Sequence, residues 1–232
     1  MGGVIVALPL TSGPVAFFLV LEHGPAFAAG ASLGSMAGAL AQGVFCVGYA
    51  ALAARGWPVA FAGGTAAFAA TGVVLQRLAL PLGPLTVVIA VGLALAMLAM
   101  PRGEEPRRRA SPPAWDIPAR MIVATALVLS LTAAATTLGP RLSGLLATFP
   151  VYAGILAVFA HGQDGPGPAT RALRGLLAGL FGFAAFFAVL AAVIERMGTA
   201  RGFVAALAVT LALQAAALWL VREPRATPRI PG

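Results

Sequence analysis

The sequence predicts an all-α fold: a polytopic helical membrane protein with about eight transmembrane helices and an internal repeat of inverted topology. Three observations support this prediction. Hydrophobic residues make up 60% of the 232 residues, charged residues only 9%, and the mean hydropathy is +0.94, which is outside the range of soluble domains. Several apolar stretches approach the roughly 20 residues that a bilayer-spanning helix needs, and none alternates as a membrane β-barrel strand does. Finally, Gly and Pro residues recur at one constant shift.

Charged residues and Gly/Pro clusters divide the chain into eight apolar spans, which are numbered here in chain order. They cover residues 2–22, 28–54, 58–77, 81–100, 119–139, 141–161, 169–195 and 200–221. The stretch PRGEEPRRRASPPAWD at 101–116 is too charged and too rich in proline to pack in lipid. We therefore expect an N-terminal membrane half over 1–100, a cytoplasmic linker over 101–118 and a C-terminal membrane half over 119–232.

The basic residues predict the orientation of the chain in the cell inner (cytoplasmic) membrane. All fifteen are arginines, and they lie in short loops rather than on one soluble face, which argues against a nucleic-acid partner. With the linker in the cytoplasm, eleven arginines face inward, and the other four face outward: Arg77, Arg141, Arg196 and Arg201. This asymmetry follows the positive-inside rule and predicts a multi-pass protein with both termini inside. The Arg107–Arg109 run is expected to meet anionic headgroups.

An internal duplication appears when the sequence is compared with itself at a shift of 141 residues. The matches need no gap and are Gly3/Gly144, Pro9/Pro150, Gly13/Gly154, Gly24/Gly165, Pro25/Pro166, Gly34/Gly175, Gly38/Gly179 and Arg55/Arg196. The shift places spans 1–3 on spans 6–8, a displacement of five spans. Because five is odd, the two copies must cross the bilayer in opposite directions, provided that spans 4 and 5 both cross.

Spans 1 and 6 carry helix breakers at matching positions, in ALPLTSGPVAFFLVLEHGP at 7–25 and ATFPVYAGILAVFAHG at 147–162. A proline inside a helix frees backbone carbonyls that lipid cannot satisfy, and paired broken spans of this kind indicate a binding site at the membrane midplane. The alternative is a pair of ordinary proline kinks accommodated by packing. The predicted substrate pathway consists of Pro9, Thr11, Ser12, Gly13, Pro14, Phe149, Pro150, Tyr152 and Gly154.

Glycines also recur every four residues in two spans, a spacing that lets helices approach closely. Span 2 carries Gly30, Gly34 and Gly38, and span 7 carries Gly175 and Gly179. Close packing is the expected role of these glycines. The spacing allows contacts within one chain and also contacts between two copies, so a homo-oligomer is one alternative.

Residues typical of catalytic and metal sites are scarce. The two histidines, His23 and His161, fall at opposite membrane surfaces on the predicted topology, and Cys46 is the single cysteine. No zinc-protease motif, phosphate-binding loop, Ser/His/Asp set or pair of acids is present, and no carboxylate lies deep in a predicted span. We therefore expect neither an enzyme nor a bound metal or cofactor, and coupling through a buried Asp or Glu is disfavoured.

The C-terminal half consists of the helix at 119–139, the segment LSGLLATFPVYAGILAVFAHG and two further helices. This arrangement resembles the small membrane proteins of the GlpM type, which look like one such four-helix unit. The resemblance covers about residues 119–222 and, more weakly, 2–78, where the first copy lacks the preceding helix. It implies a duplicated four-helix unit and transfers no activity and no functional residue.

Taken together, these features predict a small inverted-repeat transporter or facilitator in a lipid bilayer. Its pathway would lie between spans 1 and 6, and its neutral lining favours a small solute that is uncharged or lipid-like. The alternative, of a different class, is a scaffold or accessory protein that transports nothing and packs on other membrane proteins through its Gly-rich helix faces.

Overall fold

The computed structural model describes residues 12–103, 115–123, 125–126, 129–130 and 149–221. These residues form helices joined by short turns, and no strand occurs among them. Residues 116–123, 125–126 and 129–130 are helical as well and lie in the region predicted as span 5. The other helices, in chain order, are α1 (Ser12–His23), α2 (Pro25–Leu52, followed by a 3₁₀ turn Ala53–Arg55), α3 (Trp57–Leu78), α4 (Leu82–Ala99), α5 (Val151–Asp164), α6 (Pro166–Met197) and α7 (Thr199–Val221).

Four helical segments of the described part are long and apolar enough to cross a membrane, which is consistent with a membrane protein. They are Pro25–Arg55, Trp57–Leu78, Leu82–Ala99 and Pro166–Met197, and they coincide with predicted spans 2, 3, 4 and 7. A shorter apolar segment, Thr199–Ala215, lies in predicted span 8. Most of span 5 and the first parts of spans 1 and 6 lie outside the described residues. The prediction of an all-α fold is therefore confirmed for the described residues.

Glycine elbows separate the short helices from the long ones. Gly24, between α1 and α2, has φ 85° and ψ 171°, and Gly165, between α5 and α6, has φ 91° and ψ −176°. This backbone region is open essentially to glycine alone. A proline follows each elbow at the start of the next helix, where its missing N–H costs nothing. The matching Gly-Pro pairs found in the sequence are thus matching turns.

The core lies between α2 and α6, which share the most extensive contact of any two helices and run antiparallel. Gly43 of α2 lies against Leu177 and Leu180 of α6. Further along α2, Tyr49 contacts His161, which lies just before α6 begins. Positions later in α2 therefore meet positions earlier in α6, as antiparallel packing requires.

The buried faces of α2 and α6 correspond at the same shift of 141 residues. Met36 and Leu177 are both buried, as are Phe45 and Phe186, and the same holds for Ala53 and Ile194. Every buried residue from Pro25 to Arg55 except Leu40 has a buried counterpart in α6. The two long helices thus present equivalent faces to the core.

The remaining helices pack around this central pair in a reciprocal pattern. α3 packs on α2 and α7 packs on α6, while α1 contacts α2 and α7, and α5 contacts α6 and α3. α4 lies against both α2 and α6. Its outer face carries apolar side chains such as Leu98, which is 82% exposed, as expected of a surface that faces lipid.

The predicted packing glycines divide into two groups. Gly38 and Gly179 are buried and Gly175 is half-buried, in line with a role in close packing. Gly30 and Gly34 are exposed, and a Cβ atom built on either would have nothing within 4 Å. The first part of the glycine row on α2 is therefore not used for packing among the described residues.

Replacing Gly43 tests the central junction. A Cβ atom there would lie 2.9 Å from Leu93 Cδ2 and 3.1 Å from Leu177 Cδ1, so Gly43→Val overpacks the contact of α2, α4 and α6. We expect the free energy of unfolding, measured by denaturant titration in detergent micelles, to fall by about 1–3 kcal/mol. Gly34→Val, on the same helix, is the control and leaves it nearly unchanged. Equal effects of the two substitutions would contradict the described packing.

Candidate functional site

The backbone break at Pro150 is the first component of the site. α5 begins at Val151, and Pro150, which is buried, has φ −77° and ψ 56°. These angles are those of an inverse γ-turn, and the N–H of Val151 donates to the carbonyl of Phe149 at 2.7 Å. The turn thus satisfies a carbonyl that a continuous helix would have used. Predicted span 6 is not one continuous helix at this point.

The break lies at mid-depth in the bundle. The ring of Phe149 meets the ring of Phe68 at a centroid distance of 5.7 Å, and Phe68 is near the middle of α3. The 14 residues of α5 extend about 21 Å, less than the roughly 30 Å of the hydrocarbon core. α5 is thus a partial-depth helix whose first turn lies inside the bundle.

Small side chains form the inner face of α5. Ala153 and Ala157 are fully buried, and Gly154 lies so close to α3 that a Cβ atom on it would be 2.7 Å from Phe61 Cε2. Aromatic rings line the opposite wall, where Phe45 lies 6.1 Å from Phe61 and 6.1 Å from Tyr49. One wall of the seam between α5 and the α2–α3 pair therefore consists of small residues, and the opposite wall consists of aromatic rings.

A polar pair ends this seam. The Tyr49 hydroxyl and His161 Nδ1 are 3.1 Å apart and share a hydrogen bond whose donor depends on the histidine tautomer. Tyr49 is fully buried, so this bond satisfies a hydroxyl that would otherwise lack a partner. At the shift of 141 residues the counterparts are Val20 and Leu190, which are both buried and apolar. The polar pair thus has no polar equivalent at this shift.

A second polar group lies at the same end of α5. Arg120 Nε donates to Asp116 Oδ2 at 2.8 Å, Gln163 Nε2 donates to Asp116 Oδ1, and the Arg120 guanidinium lies 4.9 Å from the Phe159 ring centroid. The hydrogen bond from Arg120 lowers the pKa of the Asp116 carboxyl, and the bond from Gln163 acts in the same direction. These contacts fasten the helical residues from 116 onward to α5.

Two arginines in the first part of α6 also lie at this end of the bundle. Arg171 donates to the carbonyl of Gly103 at 3.3 Å, and Arg174 donates to the carbonyls of Met97, at 3.3 Å, and Met100. Met97 lies in the last turn of α4 and Met100 directly follows the helix, and carbonyls at a helix C-terminus have no intrahelical donors. The start of the predicted linker is therefore held against the start of α6.

The predicted pathway residues of span 1 lie at or before the start of α1. Pro9 and Thr11 lie outside the described residues, Ser12 and Pro14 are in the first turn of α1, and Gly13 is buried there. The ring of Phe17, in α1, meets the ring of Phe203, in α7, at 5.4 Å. In the described residues α1 and α5 do not pack mainly on each other. α1 has most of its contacts with α2, and α5 has most of its contacts with α6.

In the second half, Phe149, Pro150 and Gly154 come together at the break, whereas Tyr152 is 56% exposed and points away from it. Sequence reasoning missed Tyr49 and its partner ring Phe45, as well as Phe61 and Phe68. Their spacing in the sequence could have indicated them: Phe45 and Tyr49 are four residues apart, and Phe61 and Phe68 are seven apart, so each pair lies on one face of its helix. In the structure these faces lie opposite the small residues of α5.

The histidines lie apart, as expected. His23 is just before α2 begins, and His161 contacts Tyr49 near its other end, about 36 Å away by helix rise. Within the described residues no group of three or more His, Cys, Asp or Glu side chains is placed to hold a metal ion.

Comparisons with family models, with curated proteins and with solved structures give no match.

Asp116 provides a test of the polar cluster. Because its pKa is lowered in the folded state, the carboxylate stabilises the fold above its unfolded-state pKa of about 4, and this contribution is lost as the pH falls through the folded-state pKa. We expect Asp116→Asn to lower the melting temperature in detergent at pH 7. The deficit should shrink as the pH falls below about 4, because the unfolded wild-type chain then takes up a proton on this carboxyl that the folded state does not yet bind.

Asp164→Asn, at an exposed carboxylate of the same helix end, is the control. A deficit for Asp116→Asn that stays constant from pH 7 to pH 3, or one matched by the control, would contradict the assigned hydrogen bonds.

Proposed function

We propose that this protein is a small inverted-repeat membrane transporter or facilitator for a small solute that is uncharged or lipid-like. The observation that carries the proposal is the break at Pro150, which starts a partial-depth helix inside the bundle. Interrupted helices of this kind expose backbone groups where a solute can exchange hydrogen bonds, and they lie at the binding sites of many secondary transporters.

The inverted repeat is supported by two independent features. The equivalent helices α2 and α6 run antiparallel, and their buried residues match at the shift found in the sequence. α1 contacts α7 just as α5 contacts α3, as expected if one two-fold axis in the membrane plane relates both copies. We propose eight spans, with both termini in the cytoplasm and the arginine-rich end of the bundle on the cytoplasmic side of the inner membrane.

The proposed pathway follows the seam along α5. It starts at Phe149 and Pro150, passes Gly154 and ends at the Tyr49–His161 pair. Its walls are apolar except at that end, so a solute with a small apolar body and one hydrogen-bonding group fits its chemistry. Pro9–Pro14 would form the equivalent entry in the first copy. The structure describes no charged side chain at the break, which is why we favour an uncharged or lipid-like solute.

Two related predictions stay predictions. We propose that the chain is not an enzyme, because its histidines lie at opposite ends of α2 and the described hydrogen-bond partner of His161 Nδ1 is the Tyr49 hydroxyl, not a carboxylate. The resemblance to the GlpM type is a hypothesis on the origin of the repeat and carries no activity.

Proline and glycine substitutions at the break test the proposal. The protein is reconstituted into liposomes, and stopped-flow light scattering follows the entry of glycerol and urea, while dithionite quenching follows the movement of a fluorescent phosphatidylcholine between leaflets. We expect Pro150→Ala to lower flux to the level of protein-free liposomes, because a continuous helix closes the break. If the proposed repeat holds, Pro9→Ala lowers flux in the same way. Gly154→Leu should do the same by filling the seam beside Phe61.

Pro84→Ala, in the exposed first turn of α4, is the control and leaves flux unchanged. All variants are checked for expression and for a monodisperse profile on size exclusion. Wild-type liposomes without flux of any probe would contradict the proposed solute class. Flux that survives all three substitutions would contradict the location of the site.

One observation favours the second candidate, a scaffold or accessory protein. Gly30 and Gly34 form an open face at the start of α2, with nothing within 4 Å of either Cβ position. Glycine rows in membrane helices allow a second helix to approach closely. The partner helix would come from another membrane protein or from a second copy of this chain.

Filling the glycine face distinguishes this candidate from the first. In a mild-detergent extract of native membranes, a scaffold would co-purify with one stoichiometric partner, and Gly34→Leu would remove that partner by blocking close approach. Gly83→Leu, at an equally open position of α4, is the control and would retain it. A partner that stays bound to both variants would rule out this face as the contact.

A further inference from the structure

A small apolar cavity lies between α2, α4 and α6. Its volume is about 120 Å³, and its wall includes Met36, Ile89, Leu93, Phe181 and Ala184. Thr86 is also in the wall, but its hydroxyl donates to the carbonyl of Leu82 at 2.7 Å and so offers no donor to the cavity. Ala90 and Phe181 are exposed at the rim, so the cavity faces the lipid between α4 and α6.

The seam between α4 and α6 continues from the cavity toward the start of α6, and we call this seam the α4–α6 groove. On α6, Arg174, Ala178, Phe181, Ala185 and Ala188 follow one another at intervals of three or four residues and therefore share one face. On α4 the same spacing joins Thr86, Ala90, Leu93, Met97 and Met100. The hydrogen bonds from Arg174 to the carbonyls of Met97 and Met100 show that the two faces meet at the arginine end.

That end of the groove is positively charged. Arg102 is exposed, and Gly103 beside it lies against Gly167 and Arg171 at the start of α6. Two acidic residues are described near this end: Asp116, which is bound by Arg120 and Gln163, and Asp164, which is exposed just before α6. An apolar groove that ends in a cluster of arginines at the membrane surface complements an anionic amphiphile.

We propose that the α4–α6 groove binds an anionic phospholipid, with one acyl chain running from the arginine end into the cavity and the phosphate at Arg102 and Arg174. The dimensions agree: Arg174 and Ala185 are about 16 Å apart by helix rise, which is close to half of the roughly 30 Å hydrocarbon core. A cavity of about 120 Å³ is too small for a helix but suits a chain end, since an apolar cavity of about 150 Å³ can hold benzene. This inference does not depend on transport.

Native mass spectrometry of the full chain in detergent tests the proposal, using dipalmitoyl phosphatidylglycerol and dipalmitoyl phosphatidylcholine as probes. We expect one phosphatidylglycerol to bind more tightly than phosphatidylcholine. Arg102→Gln should weaken the binding of phosphatidylglycerol about fivefold, the contribution of about one basic side chain near a headgroup. Ala185→Phe should weaken it about tenfold, because a ring in the groove displaces about two methylene groups.

Arg77→Gln and Ala69→Phe, at exposed positions of α3, are the matched controls and should leave binding unchanged. If Ala185→Phe fails to fold, Ala90→Phe on the opposite rim replaces it. Equal binding of the two lipids, or unchanged binding with the ring in place, would overturn the proposal. Competition by glycerol 3-phosphate as effective as that by the lipid would overturn it too, because the site would then recognise the phosphate and not the chain.

Discussion

Antiparallel packing of α2 against α6 is the constraint on which the rest of this structure depends. Both helices are about half buried, whereas α3 and α4 bury about a quarter of their spans, so the central pair supplies most of the core. Lipid gives apolar side chains no reason to associate, and close packing must therefore hold the helices together. Gly43 lets leucine side chains of α4 and α6 reach the α2 backbone, and Gly182 lets the Gln214 side chain of α7 reach the α6 backbone.

Because α2 and α6 are equivalent in register but opposite in direction, their neighbours are arranged in pairs. A short helix precedes each long helix and is joined to it by a Gly-Pro elbow: α1 precedes α2, and α5 precedes α6. Each short helix also contacts a helix of the other half, α1 with α7 and α5 with α3. The pairing of α1 with α7 and of α5 with α3 ties the two halves together at two further places.

Several long-range side-chain hydrogen bonds lie at one end of the bundle. Tyr49 and His161 form a hydrogen bond where the equivalent positions hold Leu190 and Val20. The break at Pro150 and the arginine contacts to α4 lie in the same half of the sequence as α6. The hydrogen bonds of Tyr49, Arg171 and Arg174 therefore connect α2, α4, α5 and α6 at one end of the bundle.

Composition and periodic breakers were enough to predict the helical membrane class and the ends of α2, α3, α4 and α6 within a few residues, because these depend on local backbone chemistry and on hydropathy. The break at Pro150 could be predicted for the same reason. The sequence also showed the two matching Gly-Pro pairs, whereas their positive φ angles came from the structure. The residues that pack against each helix face could not be predicted. Only the tertiary structure paired Tyr49 with His161, placed Phe61 on Gly154, turned Tyr152 outward and left Gly34 open, because such contacts join residues far apart in the chain.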